Sequence, residues 1–230
     1  MHTQINDLLN LFREHWGKRR TVSVQTWWIR ADAGVTSALI NNDTTQEIGA
    51  GVVAENRWKE FFDKAKEEKK IAYSSTLTGH NNQTLHAISG KQISLTVDAN
   101  LGLLGQQKRI VGFRPVKAFF HNGAALQVTP LATRGGNFVI LDMQAKLNEL
   151  IQGARGDQIS VDKEGGETTI QLDGMDYLSC QFSSTLRCPK NQVVLAGSMT
   201  SNPSAENEAE DETPEILVFV RVSVHTIKED

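Results

Sequence analysis

Alternation of apolar and polar residues predicts β-strands toward the C-terminus. Most of residues 178–188 alternate in this way, which is the period of a half-buried strand. Residues 193–196 and 216–220 are apolar on both faces, which is typical of strands that are covered on both sides. We therefore expect three strands here, the last two of them deeply buried.

A helical pattern followed by a strand pattern opens the chain. The helix carries apolar residues at the spacing of a single face, namely Ile5, Leu8, Leu9, Phe12 and Trp16. Basic residues at 18–20 close it, at the negative end of the helix dipole. Residues 21–30 then alternate as a strand whose apolar positions include Val22, Val24 and Trp28.

A second amphipathic helix is predicted after a stretch, residues 31–56, that shows no clear period. Its apolar face is formed by Trp58, Phe61, Phe62 and Ala65, and charged residues cover the opposite face. Asn56 is the expected N-terminal cap, because its side chain can accept a hydrogen bond from the first helical amides.

Further strands are predicted through the middle of the chain. Residues 93–97 alternate, and so do residues 124–128, which include Leu126 and Val128. For residues 143–150 helix propensity favours a helix. Alternation that continues from Phe138 through Leu141 and Met143 favours a strand instead, and we predict a strand to about residue 147. A charged, glycine-rich hairpin region at 153–166 leads to a strand at 168–172.

These patterns predict a mainly β fold with a few helices (α+β). It consists of antiparallel hairpin sheets, an N-terminal helix and one internal helix. We expect residues 1–20 to form the N-terminal helix and linker. Residues 21–230 form the β domain, which contains an acidic loop at 202–214.

The order of these segments resembles the secretin domain, the module of outer-membrane pores in bacterial secretion and pilus systems. Residues 123–130 read Gly-Ala-Ala-Leu-Gln-Val-Thr-Pro and are similar to the family pattern Gly-x-x-Leu-x-Val-Thr-Pro. Residues 193–195 and 215–220 resemble its Val-Val-Leu-Gly-Gly and Glu-Leu-Leu-Ile-Phe-Val segments. The chain departs from the family at Gln25, where secretins carry an acidic residue.

The resemblance implies a structural subunit that forms or supports an oligomeric ring or channel in the bacterial envelope, in a secretion or pilus system. Its implied partners are further copies, joined through strand edges, and other envelope or secretion proteins. An excised piece of an exported chain would lie in the periplasm or outer membrane. The candidate assembly strands carry Val22, Val24, Trp28, Leu126, Val128, Leu141, Met143, Leu217, Phe219 and Val220. The alternative is a soluble, non-pore module of this fold that acts as a protein-binding scaffold.

An acidic segment takes the place of the family's apolar membrane-contacting lip. Residues 206–212 include five acidic side chains, and residues 202–214 contain no aromatic or large aliphatic residue. Such a segment is expected to be solvated. It is strongly disfavoured in contact with hydrocarbon, which argues against direct membrane insertion.

Deleting residues 205–211 should leave the melting temperature and the oligomeric state essentially unchanged. The physical reason is that the only apolar side chains of this segment are the small methyl groups of Ala205 and Ala209, which can contribute little to a core. Thermal melting followed by circular dichroism, together with mass in solution, checks this expectation. A large loss of stability would contradict the assignment of a solvated loop.

Composition narrows the function classes. The 230 residues include 24 basic and 27 acidic side chains, so the net charge of -3 gives no reason to expect nucleic-acid binding. No apolar run approaches the roughly 18–20 residues of a membrane-spanning helix. The first residues lack the basic and then apolar pattern of a signal segment. Either the protein is cytosolic or the sequence is a mature or excised piece.

Residues with potential for chemistry do not converge on a site. Cys180 and Cys188 lie eight residues apart on one predicted strand, a separation of about 26 Å that exceeds disulfide reach. His80 and His86 alone do not supply the three or four ligands of a zinc site. Asp142 and Asp173 could act as acid–base groups, but nothing in the sequence distinguishes them from any other carboxylate. We expect no enzyme, catalytic residue, cofactor or metal.

Overall fold

The computed structural model describes residues 5–7, 20–32, 35–40, 51–104, 109–151, 156, 158–163, 166–174, 176–200 and 215–226. Strands dominate these residues, and the sheets are antiparallel wherever two strands have a register. The mainly β fold class is therefore confirmed. Residues 5–7 are helical, but the rest of the predicted N-terminal helix and the acidic segment 202–214 lie outside the described residues.

A five-stranded sheet contains the N-terminal and C-terminal strands side by side. Its order is β2-β10-β11-β1-β3. The members are β1 (Arg20–Ala31), β2 (Val52–Val53), β3 (Ile71–His80), β10 (Val193–Thr200) and β11 (Glu215–Thr226). Alternation along β1 and β11 aligns their apolar positions, so that Val22 lies opposite Val224 and Trp28 opposite Val218. Both partners of each pair are buried, which is why the register is well specified.

Two helices cover one face of the five-stranded sheet. They are α1 (Val35–Ile40) and α2 (Glu55–Glu67). The buried cluster between the helices and the sheet includes Trp58 of α2, Ile29 of β1 and Phe219 of β11. Asn56 does not cap α2, contrary to the sequence prediction, because the helix begins at Glu55 and its cap lies two residues before the predicted one. Its N-cap is Ala54, which has no side-chain acceptor.

The strand β11 is covered on both faces, as the sequence pattern predicts. Leu217 and Phe219 belong to the cluster on the helix side. Successive side chains of a strand point to opposite faces. Val218 and Val220 therefore lie on the other face, where both are also fully buried.

A four-stranded sheet contains the longest strands. Its order is β4-β5-β6-β9. The members are β4 (Leu85–Leu104), β5 (Arg109–Ala132), β6 (Phe138–Ile151) and β9 (Asp176–Pro189). The predicted strand at 138–147 is confirmed and extends to Ile151. Alternation prevails over helix propensity here because Val139, Leu141, Met143, Ala145 and Leu147 all bury their side chains on one face.

A separate two-stranded hairpin interrupts the run from β6 to β9. It consists of β7 (Gln158–Lys163) and β8 (Gly166–Gln171), which pair antiparallel. The predicted hairpin region at 153–166 contains β7, and the strand predicted at 168–172 is β8, which begins two residues earlier and ends one residue earlier than predicted. Ser160 and Thr169 face each other across the pair with their hydroxyl oxygens 3.1 Å apart.

The chain divides into two compact units that are discontinuous in sequence. One comprises residues 1–87, 125–146 and 180–230, and the other comprises residues 88–124 and 147–179. The predicted domain bounds at 1–20 and 21–230 stay a prediction. No helix among the described residues is long and apolar enough to cross a membrane.

Candidate functional site

The four-stranded sheet ends in two long strands whose outer edges have no strand partner among the described residues. These are β4, with 20 residues, and β9, with 14 residues. An edge strand presents unpaired backbone N–H and C=O groups to whatever lies beside it. Among the described residues, these two edges therefore present the longest rows of backbone N–H and C=O groups that a further strand could pair with.

The strands of this sheet alternate in direction. Short connections join β4 to β5 and β5 to β6, which makes each pair antiparallel. Contacts between β6 and β9 run in opposite order: Ser179 donates to Asn148 Oδ1 at 2.8 Å, and the amide of Lys190 donates to the Asn137 carbonyl at 2.8 Å. With four alternating strands, β9 of one chain and β4 of another would meet antiparallel if the sheet were continued.

The residues predicted to lie on assembly strands all occupy interior strands of the two sheets. Val22, Val24 and Trp28 lie on β1, and Leu217, Phe219 and Val220 on β11. Leu126 and Val128 lie on β5, and Leu141 and Met143 on β6. Each is at most 5% exposed. Strands on both sides already pair with these four strands. The structure thus brings the ten residues into packed cores, and their participation in assembly stays a prediction.

Gly123, the first residue of the Gly-x-x-Leu-x-Val-Thr-Pro segment, marks a close approach of two backbones. It lies against Gly90 of β4, and a Cβ on either residue would collide with the backbone of the other strand. The φ angles of Gly90 and Gly123 are 144° and 158°, values that residues other than glycine rarely adopt. This pair therefore requires glycine at both positions and fixes the register between β4 and β5.

Large apolar side chains are exposed on both end strands. Ile88 of β4 is 74% exposed and Tyr177 of β9 is 54% exposed. Phe119 of β5 is 69% exposed. The ring of Tyr177 also contacts Phe120 at a centroid distance of 5.3 Å. A strand added at either edge would remove some of this apolar surface from water.

Sequence reasoning missed a contact on the β4 edge. It considered Asp173 only as an unremarkable carboxylate. In the structure Asp173 bonds to Thr96 of β4 through both its backbone amide and its side chain. The residues are 77 positions apart. No local pattern in the sequence joins them.

The cysteines and histidines form no reactive centre in the described part of the chain. Neither cysteine is in a disulfide, in agreement with the spacing argument. Cys188 is buried, and desolvation raises the pKa of its thiol to about 12, so it stays protonated at neutral pH. His80 and His86 are exposed. Among the described residues no group of three His, Cys, Asp or Glu side chains is placed to hold a metal ion.

No protein-family model matches the chain, and no curated protein matches it. Among solved structures the chain is similar to the type II secretin GspD of enteropathogenic Escherichia coli. The identity is 10% and the TM-score 0.45, over 99% of this chain and 75% of that chain. It is also similar to the type IV competence pilus secretin PilQ of V. cholerae, with 14% identity and a TM-score of 0.37 over 95% of this chain and 65% of that chain.

A third similar structure is the type III secretion injectisome secretin InvG of Salmonella SPI-1. Its identity is 10% and its TM-score 0.44, over 99% of this chain and 70% of that chain. The chain spans as little as 43% of another secretin, PulD of Klebsiella pneumoniae. Identities and TM-scores this low do not assign a function to the chain. A proposed function therefore rests on the chain's own residues and strand edges.

Proposed function

We propose that the chain is a secretin-like structural subunit that joins further copies of itself edge to edge. The assembly is a ring or channel, or a part that supports one, in a bacterial envelope secretion or pilus system. The observation that carries this proposal is the pair of long outer edges, β4 and β9, at opposite ends of one alternating sheet. We assign the subunit no catalytic role.

The edge geometry favours a head-to-tail assembly. When β9 of one copy pairs with β4 of the next, the interface is made from two different surfaces. Such heterologous contacts close into a ring when the rotation between neighbours allows it. Backbone hydrogen bonds supply the affinity in this mode of strand addition, and the side chains that alternate along the edge supply specificity.

The sequence resemblance supports the location of the function in the bacterial envelope. The segment at 123–130 that resembles the family pattern lies on β5, the direct neighbour of the β4 edge. Other envelope or secretion proteins are the expected partners. Residues 202–214 contain no aromatic or large aliphatic side chain, so contact with the bilayer would have to come from elsewhere or from another chain.

A proline at the β4 edge tests the proposal. Thr96 directs both backbone groups away from β5, and residues two positions apart on a strand point their backbone groups the same way. Ser94 therefore presents its N–H at the outer edge. Ser94→Pro removes that donor without breaking a bond to β5. We expect loss of assembly, measured as mass in solution by light scattering.

The matched control is Ser94→Ala, which keeps the backbone N–H at the same exposed position. It should assemble like the wild type, and both variants should retain the wild-type far-UV circular dichroism. Assembly of Ser94→Pro at wild-type concentrations would rule out β4 as the pairing edge.

The second candidate function is that of a soluble scaffold module that binds a different protein. The observation that favours it is that residues 202–214 are acidic and contain none of the large apolar side chains of a membrane-contacting lip. A chain that stays monomeric at high concentration, with and without detergent, is the expected behaviour of such a module.

A further inference from the structure

Asp173 occupies the outer edge of β4 at one position. Its backbone amide donates to the carbonyl of Thr96 at 2.9 Å. The amide of Thr96 in turn donates to Asp173 Oδ2 at 2.6 Å. Both backbone hydrogen-bonding groups of one edge residue are thereby taken by a residue that belongs to no strand.

This contact imitates a strand. In an antiparallel ladder, a residue that directs both its N–H and its C=O to one side exchanges both bonds with a single partner. Asp173 supplies the donor from its backbone and the acceptor from its carboxylate in place of a carbonyl. A neighbouring strand would need the same two groups of Thr96, so Asp173 and that strand cannot bind together.

The base of the β7–β8 hairpin holds Asp173 at the edge. Gln171, two residues earlier, donates from Nε2 to the Gly156 carbonyl at 2.6 Å and accepts from Gln158 Nε2 at 2.8 Å. Gly156 lies so close to the backbone of residues 172–174 that a Cβ there would collide with it. The approach of Asp173 to β4 is therefore set by local packing.

We infer that Asp173 is an autoinhibitory latch on the assembly edge: it closes β4 in the single chain and is displaced by β9 of a second copy. This inference rests on the proposed edge-to-edge function. Exposed sheet edges invite uncontrolled pairing, and proteins commonly protect them with charged residues. Asp173 is solvent-exposed, so its carboxylate returns to water at little cost when a strand replaces it. The latch thus raises the concentration needed for assembly without preventing it.

The test compares Asp173→Ala with Asp173→Asn in the full chain. Alanine removes the side-chain acceptor, whereas asparagine keeps a neutral oxygen that can accept a weaker bond. Hydrogen exchange in the unassembled chain reads the contact itself. We expect the Thr96 amide to exchange about tenfold faster in Asp173→Ala, the effect of losing one hydrogen bond to a charged group.

Assembly is read from the concentration at which half of the chains are associated, by light scattering. We expect that concentration to fall about tenfold in Asp173→Ala, because the competing contact is gone. Asp173→Asn should lie between that variant and the wild type. Asp63→Ala is the matched control for charge: it removes an exposed carboxylate from helix α2, which belongs to neither assembly edge, and should leave both readouts unchanged.

Three results would overturn the latch. In the first, Asp173→Ala exchanges faster at Thr96 but assembles at the same or a higher concentration. If Ser94→Pro still abolishes assembly in that case, only the latch fails and the proposed function stands. In the second, neither the wild type nor Asp173→Ala assembles, and edge pairing fails together with the latch. In the third, Asp63→Ala promotes assembly as strongly as Asp173→Ala, which assigns the effect to net charge.

Discussion

Val220→Asp should destabilise the chain by about 3–5 kcal/mol, the cost of an unpaired charge in a protein interior. Val220 is fully buried on β11, which lies between β10 and β1. The residues opposite it in the two ladders are Thr26 and Val194, both buried. The Thr26 hydroxyl is already bonded to Ser75 at 2.7 Å. Arg221 is adjacent in sequence, but its side chain points to the other face of the sheet.

Denaturant unfolding followed by far-UV circular dichroism measures this effect. A loss of this size is a large fraction of the roughly 5–15 kcal/mol stability of a typical domain, so part of the variant population should be unfolded without denaturant. His225→Asp is the matched control, because it places the same charge on the same strand at an exposed position. A midpoint for Val220→Asp close to that of His225→Asp would show that β11 is not covered on both faces.

Trp58→Ala should destabilise the chain by about 3–5 kcal/mol through the cavity it leaves. Trp58 is 4% exposed and is the centre of the contact between α2 and the five-stranded sheet. Its ring centroid lies 4.9 Å from that of Phe219, 5.1 Å from Trp27 and 5.2 Å from Phe62. Removing it deprives three aromatic rings of a partner at once.

The same denaturant midpoint measures this change. Lys59→Ala is its control: Lys59 is exposed on the next position of the helix, and alanine is the stronger helix former. We expect the control to unfold within about 0.5 kcal/mol of the wild type. An equal effect of the two substitutions would mean that α2 contributes helicity but no packing against the sheet.

Most strands were predictable because burial on one face imposes a period of two. Leu141 and Met143 illustrate this: propensity alone favours a helix, yet alternation assigns the strand that the structure contains. Apolar runs at 193–196 and 216–220 indicated strands covered on both faces, and β10 and β11 are such strands. Helix α2 was also predictable, because its apolar residues, including Trp58, recur at the spacing of one helical face.

Short elements and helix ends were not predictable in the same way. Helix α1 has six residues and β2 has two, too few to display a period. Asn56 was the favoured cap by side-chain chemistry, but α2 begins after Ala54, and its residues Trp58 and Ala65 pack into the buried cluster. A propensity of about 1 kcal/mol at a cap is easily overridden by such packing.

Strand neighbours also lie beyond what a local pattern can indicate. Alternation identifies Val22 and Leu217 as core residues but does not say whether their strands are at the centre or at the edge of a sheet. The edge strands β4 and β9 emerged only from the topology. The contact between Asp173 and Thr96 joins residues that are 77 positions apart, and the sequence carries no local signal for it.

The absolute mass of the protein in solution tests the central claim most directly. Light scattering behind a sizing column, with and without mild detergent, distinguishes a single chain of 25.4 kDa from an assembly. Edge-to-edge joining of β4 and β9 predicts a discrete particle of many chains, whose subunits electron microscopy would then resolve as a ring. A clean monomer at all concentrations and in both conditions would contradict the proposed assembly.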